Sequence, residues 1–267
     1  MKCPSCHAPF ATPVDQCPAC GINVAELDIK FGALPRYSYP LTDHTQQLPE
    51  REFDETVNLL RLFHRKFPQS LFSAFLISEL PNGHIGEYTF WIANRARFGR
   101  PEATGAANFD LLLGLDLSAR TACLTIGYGL EAYLTEFDLE RALAAASGPF
   151  HEGEFAEGVR RCADVIMERM RDIVKRIEGT PAPAGSAVAS LVAISTAEGP
   201  RPIPMGLKVA IILGALGTIL VAARVSIQAW SRFNLFDRQY RLPPVPPVKP
   251  RLGASRCGGH MAVIVFR

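Results

Sequence analysis

Net charge is nearly absent from this sequence. Its 28 lysines and arginines stand against 26 aspartates and glutamates, leaving +2 at pH 7. No sustained basic patch accompanies that balance, so the electrostatic attraction that draws proteins onto nucleic acid is missing. Nucleic acid is not an expected partner, and a zinc-ribbon nucleic-acid protein is the reading it disfavours. Histidine is also scarce. The six present (His7, His44, His64, His84, His151 and His260) show no metal-ligand spacing. No glycine-rich loop ends in Gly-Lys-Ser or Gly-Lys-Thr, which removes a P-loop nucleotide site. No Asp-x-Asp pair stands at a strand end. Cys123 and Cys162 lack the arginine offset of a cysteine-phosphatase loop and read instead as small hydrophobes.

Against these absences, four cysteines crowd the first twenty residues. Cys3, Cys6, Cys17 and Cys20 form two Cys-Pro-x-Cys knuckles. Two such pairs place four thiolates around one tetrahedral ion, and structural zinc is the expected occupant. Redox chemistry and an iron–sulfur centre are the alternatives. Disulfides are disfavoured because no secretory signal precedes the knuckles. His7 adjoins Cys6 as a substitute ligand, and Gly21 closes the second knuckle in an expected left-handed turn.

Hydrophobic periodicity organises the middle of the chain. Phe53, Val57, Leu60, Phe63 and Phe67 predict a helix over 51–67, stopped by Pro68. The apolar run 71–80 predicts a strand buried on both faces. A helix over 87–98 follows, with Trp91 as core. Runs 110–117 and 121–127 predict an antiparallel hairpin. Thr135 is the expected N-cap of a third helix, with Asp138 three residues on and Leu134 and Leu139 placed as a staple. That helix is expected to fade before Gly148-Pro149. A longer helix over 154–178 buries Val159, Cys162, Ala163, Ile166, Met170, Ile173, Val174 and Ile177. The fold class expected is α/β, a three-layer α/β/α sandwich around a mixed sheet.

One long apolar run is present. Residues 205–223, interrupted only by Lys208, would rise about 28 Å as a helix, close to the thickness of a bilayer core. The expected organisation is a zinc-ribbon-like knuckle unit over 1–21, a connector over 22–50 and an α/β domain over 51–178. A Pro/Ala/Ser linker over 179–204, a C-terminal transmembrane helix over 205–223 and a basic, Pro-rich tail over 224–267 follow. Positive charge after the apolar run favours a C-terminal flank inside. The missing translocation signal and the preference of thiolate zinc for a reducing space outweigh it. The expectation is a single-pass membrane protein whose folded domains face the cytoplasm.

The stretch from Leu60 to Lys175 resembles the TPM domain family, named for a thylakoid lumen protein, a photosystem II repair protein and a modulator of acetylcholine receptors. The resemblance is carried by Phe67-Pro68, Leu80-Pro81, Gly83, Glu87-Tyr88, Phe90-Trp91 and Asn94-Arg95-Ala96. The segment Thr125 to Thr135 (TIGYGLEAYLT) continues it, then Asp138-Leu139, Phe150, Gly153, Phe155 and Gly158. The subgroup with zinc knuckles in front and a membrane helix behind is particularly similar. The resemblance implies an α/β/α sandwich, roles in repair or assembly of membrane complexes, and in some members calcium binding or weak acid phosphatase activity. The family often has an Asn-Asn-Gly or Asn-Arg-Gly turn before the central strand. This chain has Asn108-Phe109-Asp110, which lacks the glycine and adds a carboxylate.

If the domain is catalytic, Asp110, Glu131 and Asp138 are the candidates. They could meet across the loops after the strands, hold calcium or magnesium and position water for phosphate-ester hydrolysis, with Tyr128 lining the cleft. Each also has a plain structural reading: a solvated loop carboxylate, an anchor of the turn, a helix cap. The first functional expectation is a membrane-tethered binding or scaffold domain for a membrane protein complex. The second is a weak metal-dependent acid phosphatase near the membrane.

Overall fold

The computed structural model describes residues 2–10, 12–80, 82–96, 103–179 and 238–266. The apolar run 205–223, nearly all of the 179–204 linker and residues 224–237 lie outside them. Among the described residues no helix is long and apolar enough to cross a membrane. Residues 1–178 and 239–267 form one compact unit.

Among the described residues five strands make one mixed sheet in chain order: β1 Leu41–Asp43, β2 Phe72–Ile77, β3 Leu111–Asp116, β4 Thr121–Ile126 and β5 Met261–Val265. β1–β2 and β2–β3 are parallel, whereas β3–β4 and β4–β5 are antiparallel. The β3–β4 pair is the hairpin expected from the three-residue turn. Asp116 closes that turn: its carboxylate accepts from Ser118 Oγ at 3.1 Å, Ala119 N at 3.1 Å and, across the sheet, Leu80 N at 3.2 Å.

Side-chain alternation divides the strands between two cores. Phe72, Ala74 and Leu76 on β2, Leu111, Leu113 and Leu115 on β3, and Ala122, Leu124 and Ile126 on β4 share one core. It also contains buried residues of α2 (Glu50–Lys66), α4 (Glu136–Glu152) and α5 (Phe155–Gly179). Phe75, Ile77, Leu112 and Cys123 point the other way. They meet α3 (Ile85–Arg95), α1 (Val24–Phe31) and Cys3, Phe10 and Cys17 of the knuckles. Gly114 faces this side where a Cβ would strike the Phe75 ring and Thr89 Oγ1, so a glycine is needed for α3 to lie close to the sheet.

Thr135 caps α4 as expected. Its Oγ1 accepts from Asp138 N at 3.3 Å while Asp138 Oδ2 accepts from Thr135 N at 2.9 Å, a reciprocal capping box. The helix does not fade before Gly148-Pro149 but runs to Glu152, ending at left-handed Gly153. Pro149 is held there by burial with Phe150, whose ring packs on Phe266, and by its carbonyl accepting from Glu154 N at 2.8 Å.

Two stretches differ from the domain outline. Within the 22–50 connector, α1 starts at an Asn23 cap and β1 adds a parallel edge to β2. Residues 239–266, read as tail, return to the sheet. β5 pairs with β4 from Thr121↔Val265 to Thr125↔Met261. Tyr240 N donates to Lys66 O at 2.7 Å, and the Tyr240 ring stacks on Phe67. Asn94 Oδ1 accepts from Arg256 N at 2.9 Å and Cys257 N at 3.2 Å, fixing the approach to β5 against α3. The knuckles are likewise no separate appendage, since Cys3, Phe10, Cys17 and Ile22 are buried with Trp91, Leu252 and Cys257.

Candidate metal centre and the dispersed carboxylates

Each knuckle is a tight turn that aims two thiols at one point. Cys3 O accepts from His7 N at 3.1 Å and Cys17 O accepts from Gly21 N at 2.8 Å. The residue after each second cysteine takes the left-handed conformation, His7 at φ 58° and Gly21 at φ 74°. His7 therefore occupies the turn position that Gly21 fills in the second knuckle, and it is not among the grouped ligands. The sulfurs lie within 4.8 Å of one another. Cys3 and Cys20 are 3.6 Å apart, Cys6 and Cys17 3.8 Å. A tetrahedron with zinc–sulfur bonds of about 2.3 Å requires sulfurs about 3.8 Å apart, whereas a disulfide requires about 2.05 Å. The four thiols thus fit a metal ion such as zinc. Burial raises the Cys3 thiol. At Cys17 burial acts in the same direction, but hydrogen bonds from the backbone N–H groups of Cys20 and Ala19, together with those of the Cys3 and Cys20 thiols, outweigh it and draw the thiol down to about 7.

The three carboxylates do not converge. Among the described residues, the four cysteines are the one group of three or more Cys, His, Asp or Glu with ligand atoms within reach of a single ion. Asp110 Oδ1 accepts from Leu71 N at 3.0 Å, tying the starts of β2 and β3 together. It borders a cavity of about 20 Å³ with Ser73, Asn108, Thr125 and Cys257, room for about one water and not for a phosphate ester. Glu131 pairs with Arg251, which arrives from the C-terminal segment. Asp138 serves the α4 cap and pairs with Arg169 of α5 at 2.8 Å. Burial raises the Asp138 carboxyl, but the Thr135 hydrogen bonds and the Arg169 guanidinium more than offset it and hold it below the usual range.

Tyr128, expected to line a cleft, is buried, and its hydroxyl donates to Ala254 O at 3.1 Å and accepts from Arg251 N at 2.8 Å. Trp91 is core, with its indole N–H donating to Asp28 Oδ1 at 2.8 Å. Cys123, Cys162 and Cys257 are buried, and burial pushes each thiol up to about 12.

Beside the metal centre lies a groove that sequence reasoning missed. It holds about 640 Å³ and runs between the first knuckle, the start of α4 and the outer side of β5. Lys2 Nζ reaches Glu136 Oε1 at 2.6 Å across it. His260 contributes an imidazole whose Nε2 has no hydrogen-bond partner among the described residues, and burial keeps that ring below its ordinary value. Val263, at its rim, is 38% exposed and Val265 is 52% exposed.

No family model matches this chain, and no curated protein matches it. Two solution structures are similar in part. The N-terminal domain of a P. gingivalis protein shares 23% identity over 49% of this chain and 82% of that domain, with a TM-score of 0.43. The N-terminal domain of a Corynebacterium glutamicum protein shares 13% identity over 61% of this chain and 95% of its own, with a TM-score of 0.39.

Proposed function

We propose that this protein is a membrane-tethered scaffold of TPM type that faces the cytoplasm and helps assemble, maintain or regulate a membrane protein complex. One observation carries the reading. The four-cysteine centre borders the groove through Cys3, β5 lines it through Met261, Ala262 and Val263, and β5, with partly exposed Val263 and Val265, is the outermost strand of the sheet among the described residues. An edge strand offers backbone N–H and C=O groups to an incoming strand, and alternate side chains supply selectivity. Zinc in the knuckles fixes the wall of that surface. Residues 205–223 bring it to the bilayer.

The alternative, a metal-dependent acid phosphatase with calcium or magnesium at Asp110, Glu131 and Asp138, requires those carboxylates to leave their present partners. A photo-crosslinking side chain placed at Val263 in the full chain tests the scaffold. Membrane proteins should be captured in intact membranes from this position and not from exposed Ile29 on α1, and Cys17→Ser should abolish capture. Equal capture from both positions refutes the docking surface. Metal-dependent phosphate-ester turnover lost on Asp110→Asn would favour the enzyme instead.

A further inference from the structure

Hydrogen bonds at the two ends of β5 fix which of its backbone groups face outward. Ile126 N donates to His260 O at 3.2 Å, and Phe266 N donates to Arg120 O at 2.9 Å. In an antiparallel pair, residues that bond the neighbour alternate with residues that do not. His260, Ala262, Ile264 and Phe266 therefore turn their peptide groups toward β4, and Met261, Val263 and Val265 turn theirs away from the sheet. Among the described residues those three outward-facing N–H and C=O pairs have no hydrogen-bond partner. The strand reads Met-Ala-Val-Ile-Val, with no charge or proline to discourage pairing.

The two sides of this edge differ in chemistry. Met261 and Val263 face α3 and the first knuckle, where a Cβ on Gly86 would lie 3.3 Å from Met261 Sδ and 3.5 Å from Val263 Cγ2. A cavity of about 210 Å³ opens on this side, lined by Pro4, Ile85, Ala119 and Val263 among others. Ala262 and Ile264 face the core that contains α4. There Glu136 and Glu140, four residues apart and so on one face of the helix, line the groove of about 640 Å³. Lys2, from the knuckle, is the one lysine or arginine lining it among the described residues, and it pairs with Glu136.

We infer that β5 selects an incoming strand that is apolar on one face and cationic on the other. The inference rests on the docking surface proposed above and names what that surface takes. Directly opposed residues of paired strands project to the same face. Residues set opposite Val263 and Val265 place apolar side chains on the α3 side, against the exposed valines and the smaller cavity. Those set opposite Ala262 and Ile264 place lysine or arginine on the α4 side, toward Glu136 and Glu140.

The test uses the full zinc-loaded chain and two fluorescent peptides, Ser-Val-Lys-Val-Lys-Val-Ser and Ser-Val-Glu-Val-Glu-Val-Ser, with anisotropy as the readout. The lysine peptide should bind about tenfold more tightly, as expected when opposite-charge contacts replace like-charge ones. Glu140→Gln should cut that ratio to about threefold. Val263→Pro removes an N–H that β4 does not use, and should abolish binding of both peptides. A lysine peptide with its central amides N-methylated should fail likewise against the parent chain. Equal binding of the two peptides would overturn the inference and leave the docking surface standing. Binding of neither would also overturn it, and capture from Val263 in membranes would then decide whether the docking surface survives. A concentration-dependent dimer lost in Val263→Pro would make a second copy of this chain the occupant and overturn it likewise.

Discussion

Replacing Arg251 with alanine should loosen the C-terminal segment far more than the rest of the sheet. Its guanidinium pairs with Glu131, the two side chains being 6% and 14% exposed, and lies 4.9 Å from the centre of the Tyr128 ring. Removing one member of a buried pair costs about 3–5 kcal/mol because the other charge is left stranded. Water can reach the slightly exposed Glu131, which lowers that figure, while loss of the cation–π contact adds roughly 0.5–2 kcal/mol. A net cost of about 3 kcal/mol corresponds to roughly a hundredfold change in an opening equilibrium. Hydrogen exchange measures it locally. The β5 amides bonded to β4 should exchange on the order of a hundredfold faster in Arg251→Ala, and those at the centre of β2 less than about threefold faster. Glu131→Gln should produce the same regional pattern, and the double variant should be much less than additive. A coupling below about 0.5 kcal/mol, or equal acceleration in β2 and β5, would refute the assignment of this pair as the clasp on the C-terminal segment. The same reasoning means that activity lost in Glu131→Gln alone would not identify a catalytic carboxylate.

Metal analysis of the purified chain should find one zinc per molecule, and Cys17→Ser or a strong chelator should remove it. Trp91 shares a core with Cys3 and Cys17, so its fluorescence should move to longer wavelength on zinc loss, and an unchanged spectrum would show that the knuckles are not coupled to α3. Acid should weaken the fold partly through Glu87. Burial raises that carboxyl, but hydrogen bonds from Lys30 and Ser5 outweigh burial and hold it below its ordinary range. A carboxyl lowered in the folded state contributes stability above its unfolded value of about 4.3 and loses it as pH falls through the folded value. Denaturant unfolding of Glu87→Gln should therefore lie below the parent near pH 6 and converge on it towards pH 3, whereas a constant gap would refute the linkage.

Elements with strong local patterns were legible before any coordinates. The spacing of Leu60, Phe63 and Phe67 marks α2, a three-residue turn marks the hairpin, and Thr135 with Asp138 marks the start of α4. The four knuckle cysteines were equally plain, because two spaced pairs encode a tetrahedron directly. What escaped was non-local. Met261–Val265 is a short run whose partner lies far back in the chain, and the side chains alone do not say which edge it joins. Arg251 and Arg169 likewise reach Glu131 and Asp138 from distant elements, so the carboxylates look free in sequence and are committed in the fold. α1 did carry a signal, Asn23 accepting from Glu26 N ahead of buried Val24 and Leu27, inside a stretch whose prolines suggested only a connector.

The place of β5 at the end of the chain sets an order of events during synthesis. Ile126 leaves the ribosome long before Met261 does, and at roughly 5–20 residues per second the interval is on the order of ten seconds. Throughout it the edge of β4 that β5 will cover stands open, apolar and unpaired. An edge open for that long is a place where another strand, from this chain or from a second copy, can pair before β5 arrives.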